Sequence, residues 1–380
     1  MKTEALVLLF AFALLVAAQP QQEPGLTISG VSRNDLVCVE TLDNTQPVKD
    51  QLDFGGANLL TLDFKNTRTT TAKIEGSFDL WLLSGVYADA FKGGDSSTAL
   101  SILQSNSSAF LLDIRKLYGS LFLPFADFSI GRQIISFGQG LVFSPIDVFS
   151  SVNILDLSLR RHGSDVARVR VPLGELAGID AIARIASRAQ GTAAAIKGYG
   201  HVGSFDFAGV GMYQGKQNSS GEFITGVTFK GDLIAGVYSE LVEHWKQGGD
   251  RSFVGMLGAD YSIQNAWYFT AEYLYNERAD TGQSSAPASF SIVQTSIPMV
   301  HHHYGFLTAR YKISDIMNVS ASAIADIAAK SGILTAQYFY NILQNANTIL
   351  YVQYYPTAIN GLLPIPTGEL TYGLRIEVAF

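Results

Sequence analysis

Residues 71–82 read TAKIEGSFDLWL. Ala72, Ile74, Phe78, Leu80 and Leu82 fall at alternate positions, and Thr71, Lys73, Glu75, Ser77 and Asp79 fall between them. A period of two puts the first set on one face of a β-strand and the second on the other. Residues 370–380, LTYGLRIEVAF, repeat the pattern, with Leu370, Tyr372, Leu374, Ile376, Val378 and Phe380 set against Thr371, Gly373, Arg375 and Glu377. Alternating segments of about ten residues recur at 58–67, 109–121, 127–138, 154–161, 166–173, 178–187, 192–203, 204–214, 221–230, 232–243, 252–262, 266–277, 303–313, 317–328, 332–342 and 347–356. Together they predict about 18 strands, with about 16 as the other count. Strands of soluble proteins cluster near five or six residues, whereas a tilted strand needs about 9–11 to cross hydrocarbon. The apolar faces run the length of these segments and carry aromatics near their ends, at Trp81, Trp267, Tyr268, Tyr354, Tyr355 and Phe380, as interfacial belts require. The expected fold is all-β, a transmembrane antiparallel β-barrel. A soluble sheet protein also alternates, but in shorter strands.

Composition agrees. Of 380 residues, 47% are hydrophobic and 16% charged, with a mean hydropathy of +0.18. Soluble chains carry nearer a quarter charged residues, and disorder needs high charge with few apolar residues. Lys and Arg total 26 against 33 Asp and Glu, a formal charge of -7, which argues against a nucleic-acid partner. A single cysteine, Cys38, allows neither an internal disulfide nor a cysteine metal cage.

Residues 1–18, MKTEALVLLFAFALLVAA, have an apolar stretch from Ala5 to Ala17 and small residues Val16 and Ala18 at its end. This reads as a signal peptide cleaved after Ala18. The stretch is short of the roughly 20 residues a spanning helix needs. Export without a membrane helix fits the barrel.

Asn66-Thr67-Arg68, Pro124-Phe125-Ala126, Gly163-Ser164, Ile263-Gln264-Asn265, Ser314-Asp315 and Asn345-Ala346-Asn347 read as tight turns. The Gly/Ser/Pro-rich stretches 84–108, 139–153, 278–301 and 357–368 read as long connections, the set expected to face outside. Residues 19–56 fit the strand pattern poorly. They are expected to form a short N-terminal periplasmic extension or a small plug, leaving 57–380 for the barrel.

Thr371, Gly373, Ile376, Val378 and terminal Phe380 match the C-terminal strand pattern of outer-membrane barrels, and the chain resembles a Gram-negative-type outer-membrane β-barrel protein. The resemblance implies an integral outer-membrane location and insertion by a barrel-assembly machinery that reads this strand. Residues 128–149, FSIGRQIISFGQGLVFSPIDVF, resemble a motif of porin-like barrels, including alginate-export-like and capsule-surface proteins. That likeness points to sugars or uronic acids as solutes. Physically, Gly138 and Gly140 permit close backbone approach and Pro145 stiffens one end of an inward-folding loop. Arg132 and Asp147 are then expected to latch the barrel mouth, or else to be solvated rim charges.

Lumen positions are where function is sought. Asp156, Arg160, Arg168, Arg170, Asp180 and Arg184 alternate with outward apolar residues, and Arg161, Arg188, Lys197 and His201 lie close by. Rings of arginine favour anionic solutes. Equally, such charges satisfy one another across strands, Asp156 with Arg168 or Arg170 for example. In the run His301-His302-His303 only His301 and His303 point one way on a strand, and no carboxylate close in sequence completes a metal set, so no metal or other cofactor is expected. No Gly-x-Ser-x-Gly accompanies His201 or His244, despite Ser204 and Ser239 nearby. The expected function is a channel for passive passage of small hydrophilic solutes, anionic or sugar-like, without chemistry. The alternatives are a non-conducting surface barrel that binds polysaccharide or another ligand, and a barrel hydrolase. Nothing in the sequence marks an oligomer interface.

Overall fold

Strands joined by two-residue turns pair with their sequence neighbours, and here that rule runs around a complete ring. A computed structural model describes residues 25–42, 52–66, 71–92, 100–105, 107–150, 152, 156–184, 192–216, 219–246, 249–278, 301–356 and 369–380. The 1–18 signal segment and Arg188 lie outside the described residues. The strands are β1 (Leu26–Thr41), β2 (Leu52–Asn66), β3 (Ala72–Gly85), β4 (Leu100–Gln104), β5 (Ser108–Phe122), β6 (Asp127–Gln133), β7 (Ser164–Pro172), β8 (Gly178–Arg184), β9 (Ala193–Val202) and β10 (Phe205–Lys216). They continue as β11 (Ser219–Asp232), β12 (Gly236–Lys246), β13 (Arg251–Ile263), β14 (Trp267–Asn276), β15 (His303–Ser314), β16 (Met317–Asp326), β17 (Ser331–Leu343), β18 (Ala346–Tyr355) and β19 (Glu369–Ala379). One short helix, α1 (Val86–Lys92), follows β3. No helix among the described residues is long and apolar enough to cross a membrane.

β1 pairs with β2 on one edge and with β19 on the other, Asp35 opposite Arg375, which closes 18 antiparallel strands into a barrel. β4 stands outside the ring. It pairs with β5 on the edge away from β3, in the lane that β6 leaves after Gln133.

Two readings of the sequence are corrected here, and they cancel in the strand count. Residues 156–160, expected in a strand over 154–161, form a turn inside the lumen, and Arg161 makes only an isolated bridge to Val152. Residues 26–41, expected in an extension or plug, are a wall strand. Asp35, Arg33 and Asn34 interrupt its apolar pattern because the first two pair inside the barrel with Arg375 and Glu377.

At one end of the barrel every connection is two to five residues long. Gly163-Ser164 is not among them. It lies at the other end, where the chain rejoins the wall as β7. That other end carries the long excursions but also the short links β10–β11, β12–β13 and β16–β17, which is why loop size alone blurs the topology in the middle of the chain.

Alternation holds as read. On β19, Thr371 and Arg375 are buried inside while Tyr372 and Ile376 are exposed outside. Outward aromatics form two belts. Trp267, Phe269 and Tyr311 stack at the short-turn end, and Tyr213, Phe223, Phe253 and Tyr275 gather at the loop end. Trp267 and Tyr275 are about 26 Å apart along β14 at ~3.3 Å per residue. Strand tilt shortens this, in keeping with an apolar band about 25 Å tall. Trp81, Tyr268 and Tyr355, expected in these belts, instead point inward. Trp81 packs beside Leu83 and Leu111, Arg310 sits over the Tyr268 ring, and Tyr355 joins the lumen core.

Candidate functional site

The wall breaks after Gln133 and resumes at Ser164, and the described residues between them fold into the barrel. Its first limb is apolar. Ile135, Phe137, Val142, Phe143, Ile146 and Phe149 are buried against inward residues of β7–β17 such as Val210, Met256, Leu274 and Tyr304. A segment that leaves a sheet strands its backbone N–H groups, which must find partners where water is scarce. Two wall carboxylates supply them. Glu240 on β12 accepts from the N–H groups of Gln139 at 2.6 Å, Gly140 at 2.9 Å and Ile146 at 3.3 Å, and from the Ser144 hydroxyl at 3.1 Å. Glu272 on β14 accepts from Leu141 at 2.5 Å, Val142 at 3.0 Å and Phe143 at 2.9 Å, and from the Tyr238 hydroxyl at 2.9 Å. Gly138 and Gly140 are required by this approach. A Cβ at Gly138 would lie 2.4 Å from a Glu240 oxygen, and one at Gly140 would lie 1.8 Å from the Phe143 carbonyl oxygen.

The second limb is charged and docks on the opposite wall. Arg160 reaches Asp79 on β3 at 2.6 Å, where Thr61 also donates at 2.7 Å. His162 lies 3.4 Å from Asp113 on β5. Asp156 lies 3.5 Å from Arg375 and 4.0 Å from Arg33, and Arg375 is held bidentate by Asp35 at 2.7 Å through each nitrogen. Asp147 ties the limbs together, accepting from Phe137 and Gly138 N–H at 2.6 and 3.0 Å and from Arg161 at 2.5 Å. The segment therefore bridges the lumen from β12 and β14 to β19, β1, β3 and β5.

Burial is the largest influence on the Asp156 carboxyl and raises it, but the Arg375 guanidinium, the Ser158 N–H, Arg33 and Arg160 together outweigh burial and hold it below the ordinary aspartate value of 3.8. With the folded value below the unfolded one, its contribution to docking is full above the unfolded value and is lost as pH falls through the folded one. Amide exchange over 156–162 is expected to quicken below about pH 3.8, and Asp156→Asn to show that faster exchange at neutral pH. Exchange in the variant equal to wild type at neutral pH would refute this docking.

The remaining wall, β5 to β9, carries the arginines that the sequence singles out. Arg168 forks onto Asp180 at 2.5–3.1 Å. Arg184 faces the Phe149 ring at 5.7 Å and Ser164 at 3.5 Å. Lys197 donates to the Phe137 carbonyl at 3.1 Å. Arg170 sits across from Asp127 on one side and Asp180 on the other, and makes no ion pair or hydrogen bond among the described residues.

Several expectations are corrected by this geometry. Arg132 faces outward and pairs bidentately with Asp165 at 2.7 and 2.9 Å, so it neither lines the lumen nor latches Asp147. Arg161 takes that place. Asp156 pairs across the barrel rather than with Arg168 or Arg170. His301 turns inward to Asp326 at 2.5 Å, while His303 turns outward to the Tyr273 hydroxyl at 2.6 Å. They do not face one site, because the first precedes β15 and the second begins it. His244 is turned to Glu222, and Ser239 lies on the other face of the same strand. His201 pairs with Asp206 at 2.7 Å at the short-turn end.

Sequence reasoning missed Glu240, Glu272, Asp79, Asp35 and Arg375. The available signal was a single acidic residue at an inward position of an otherwise apolar face, as in Tyr238–Glu240–Val242. A second infolding, α1, buries Ala88 fully and sets Tyr87 deep beside Tyr351, where burial pushes its hydroxyl up to about 12.

No family model matches the chain, and no curated protein does. Solved structures do. OccAB4 of Acinetobacter baumannii aligns with a TM-score of 0.59 at 10% identity, over 95% of this chain and 100% of that one. OccAB3 of the same organism gives 0.55 at 11% identity, over 93% and 99%. A triple mutant of the Rhodopseudomonas blastica porin gives 0.45 at 11% identity, over 93% and 100%. At such identity the likeness to the two Acinetobacter proteins is one of fold alone.

Proposed function

We propose that this barrel is an outer-membrane channel for passive passage of small hydrophilic solutes, with a preference for anionic or sugar-like ones. On this reading it is exported by a signal peptide cleaved after Ala18 and inserted through its C-terminal strand. The observation that carries the reading is the bridge formed by the described residues between 134 and 163. It narrows the lumen and leaves Arg168, Arg170, Arg184 and Lys197 along the wall beside it. Of these, Arg170 has its charge least engaged. A guanidinium without a fixed partner can exchange water for a passing carboxylate or phosphate, whereas Arg168 is occupied by Asp180.

The test is conductance of refolded protein in a planar bilayer under a salt gradient. Discrete steps with an anion-biased reversal potential are expected. Arg170→Glu places a third carboxylate between Asp127 and Asp180, and is expected to lower the anion-to-cation permeability ratio several-fold with the barrel still folded. An unchanged reversal potential would remove Arg170 from the pore. Docking of the bridge on both walls also favours a second reading, a non-conducting barrel. Well-folded, heat-modifiable protein without steps would establish that one.

A further inference from the structure

At the loop-end aromatic belt, the outer wall over β10–β13 holds a groove of about 570 Å³. Its floor is Gly209, Val227 and Leu241, with Val227 54% and Leu241 46% exposed. Beside it the wall is bare. Gly209 pairs with Gly198 on β9, and a Cβ built at either would meet no atom within 4 Å. The loop end of the groove carries a fixed ring and a guanidinium. Trp245 donates its indole N–H to Thr225 at 3.0 Å, which fixes the ring, and Arg251 lies over that ring at 3.9 Å. The Arg251 side chain is 62% exposed, with Glu243 at 3.8 Å. Glu277 is held on the groove rim by the Phe253 N–H at 2.7 Å.

An apolar trough that opens at an interfacial belt onto one guanidinium and two carboxylates matches an amphiphile with both signs in its head. We propose that this groove binds one phospholipid whose head group carries a phosphate next to a primary ammonium, the phosphoethanolamine type. The phosphate meets Arg251, whose planar fork suits phosphate oxygens. The ammonium meets Glu243 and Glu277 and has three N–H donors for them. A choline head has the same charges but no N–H to give. A purely anionic head faces two carboxylates for one guanidinium. One acyl chain lies along Val227, Leu241 and the bare Gly209–Gly198 strip, where a chain removes apolar surface without displacing a side chain.

This rests on the reading that the barrel spans a membrane, which is measured separately as insertion into vesicles and heat-modifiable migration. The test is native mass spectrometry of the full protein in detergent with equimolar ethanolamine, choline and glycerol phospholipids of identical acyl chains. Preferential retention of one ethanolamine lipid is expected. Glu243→Gln with Glu277→Gln should erase the preference over choline, and Arg251→Gln should lower retention of all three. Gly209→Leu, a change into open space on the outer face, should lower retention while leaving the charges in place. Equal retention of the three lipids, preference for the glycerol lipid, or retention indifferent to Gly209→Leu would overturn the proposal with the barrel inserted. Failure to insert would overturn the membrane reading and this proposal together.

Discussion

Replacing Glu240 and Glu272 together by glutamine is expected to release residues 137–146 from the barrel wall. Each carboxylate accepts from three backbone N–H groups and one hydroxyl. An amide keeps one acceptor oxygen but turns an NH₂ toward donors, so several buried N–H groups lose their partner. Hydrogen bonds to a charged acceptor contribute about 1.5–3 kcal/mol each, and a buried donor left unmade costs a similar amount. A net loss of about 3 kcal/mol per site corresponds to roughly 100-fold faster exchange of these amides. The barrel itself should persist, because no inter-strand ladder bond depends on either carboxylate. Conductance should rise and become noisier as the first limb leaves the lumen, with the second limb still held by Arg160 and Asp156. Wild-type exchange protection over 137–146 in the double variant would show that apolar packing alone seats the segment.

Removal of Phe380 is expected to be the most damaging single deletion for assembly. Phe380 and Gly30 exchange backbone hydrogen bonds at 2.9 and 3.0 Å across the closing seam. The Phe380 ring lies over Gly30, where a Cβ would come within 2.5 Å of it. Phe380 thus covers the point at which β1 and β19 meet. Deleting it removes two ladder bonds and the ring. Gly30→Val attacks the same contact from the other strand by forcing the ring aside. Both should reduce the heat-modifiable, membrane-inserted fraction, the deletion more strongly. Normal membrane yield from the deletion would show that the seam closes without its terminal residue.

The fold was legible because period two is a property of neighbouring residues. The face assignments read on 71–82 and 370–380 hold residue by residue. The first strand was illegible for a related reason. Arg33 and Asp35 look wrong for a membrane strand until Glu377 and Arg375 are seen opposite them, and those partners lie at the far end of the chain. The same holds for the lumen. Asp156 and Asp147 stand out by residue type, but the partners read for them, Arg168 or Arg170 and Arg132, are not the ones they meet, and Arg160 has no partner legible in the sequence, since Asp79, Arg375 and Arg161 are set by closure and by the path of the infolded segment. Arg132 shows the reverse error. One residue of strand parity after Gly131 separates the lumen from the outer face, and the Gly-Arg-Gln motif does not display which side its arginine takes.

The sequence by itself determined an all-β barrel of about 18 membrane-length strands, the apolar outer face, and an inward excursion near Gly138, Gly140 and Pro145. Each follows from local alternation, strand length or backbone freedom. Only the tertiary structure decided that the excursion spans the lumen, that Glu240 and Glu272 hold one limb and Asp79 and Arg375 the other, and that Arg170 keeps its charge unpaired among the described residues. These depend on which distant residues closure brings face to face, and charge pairing in a lumen is fixed by that meeting.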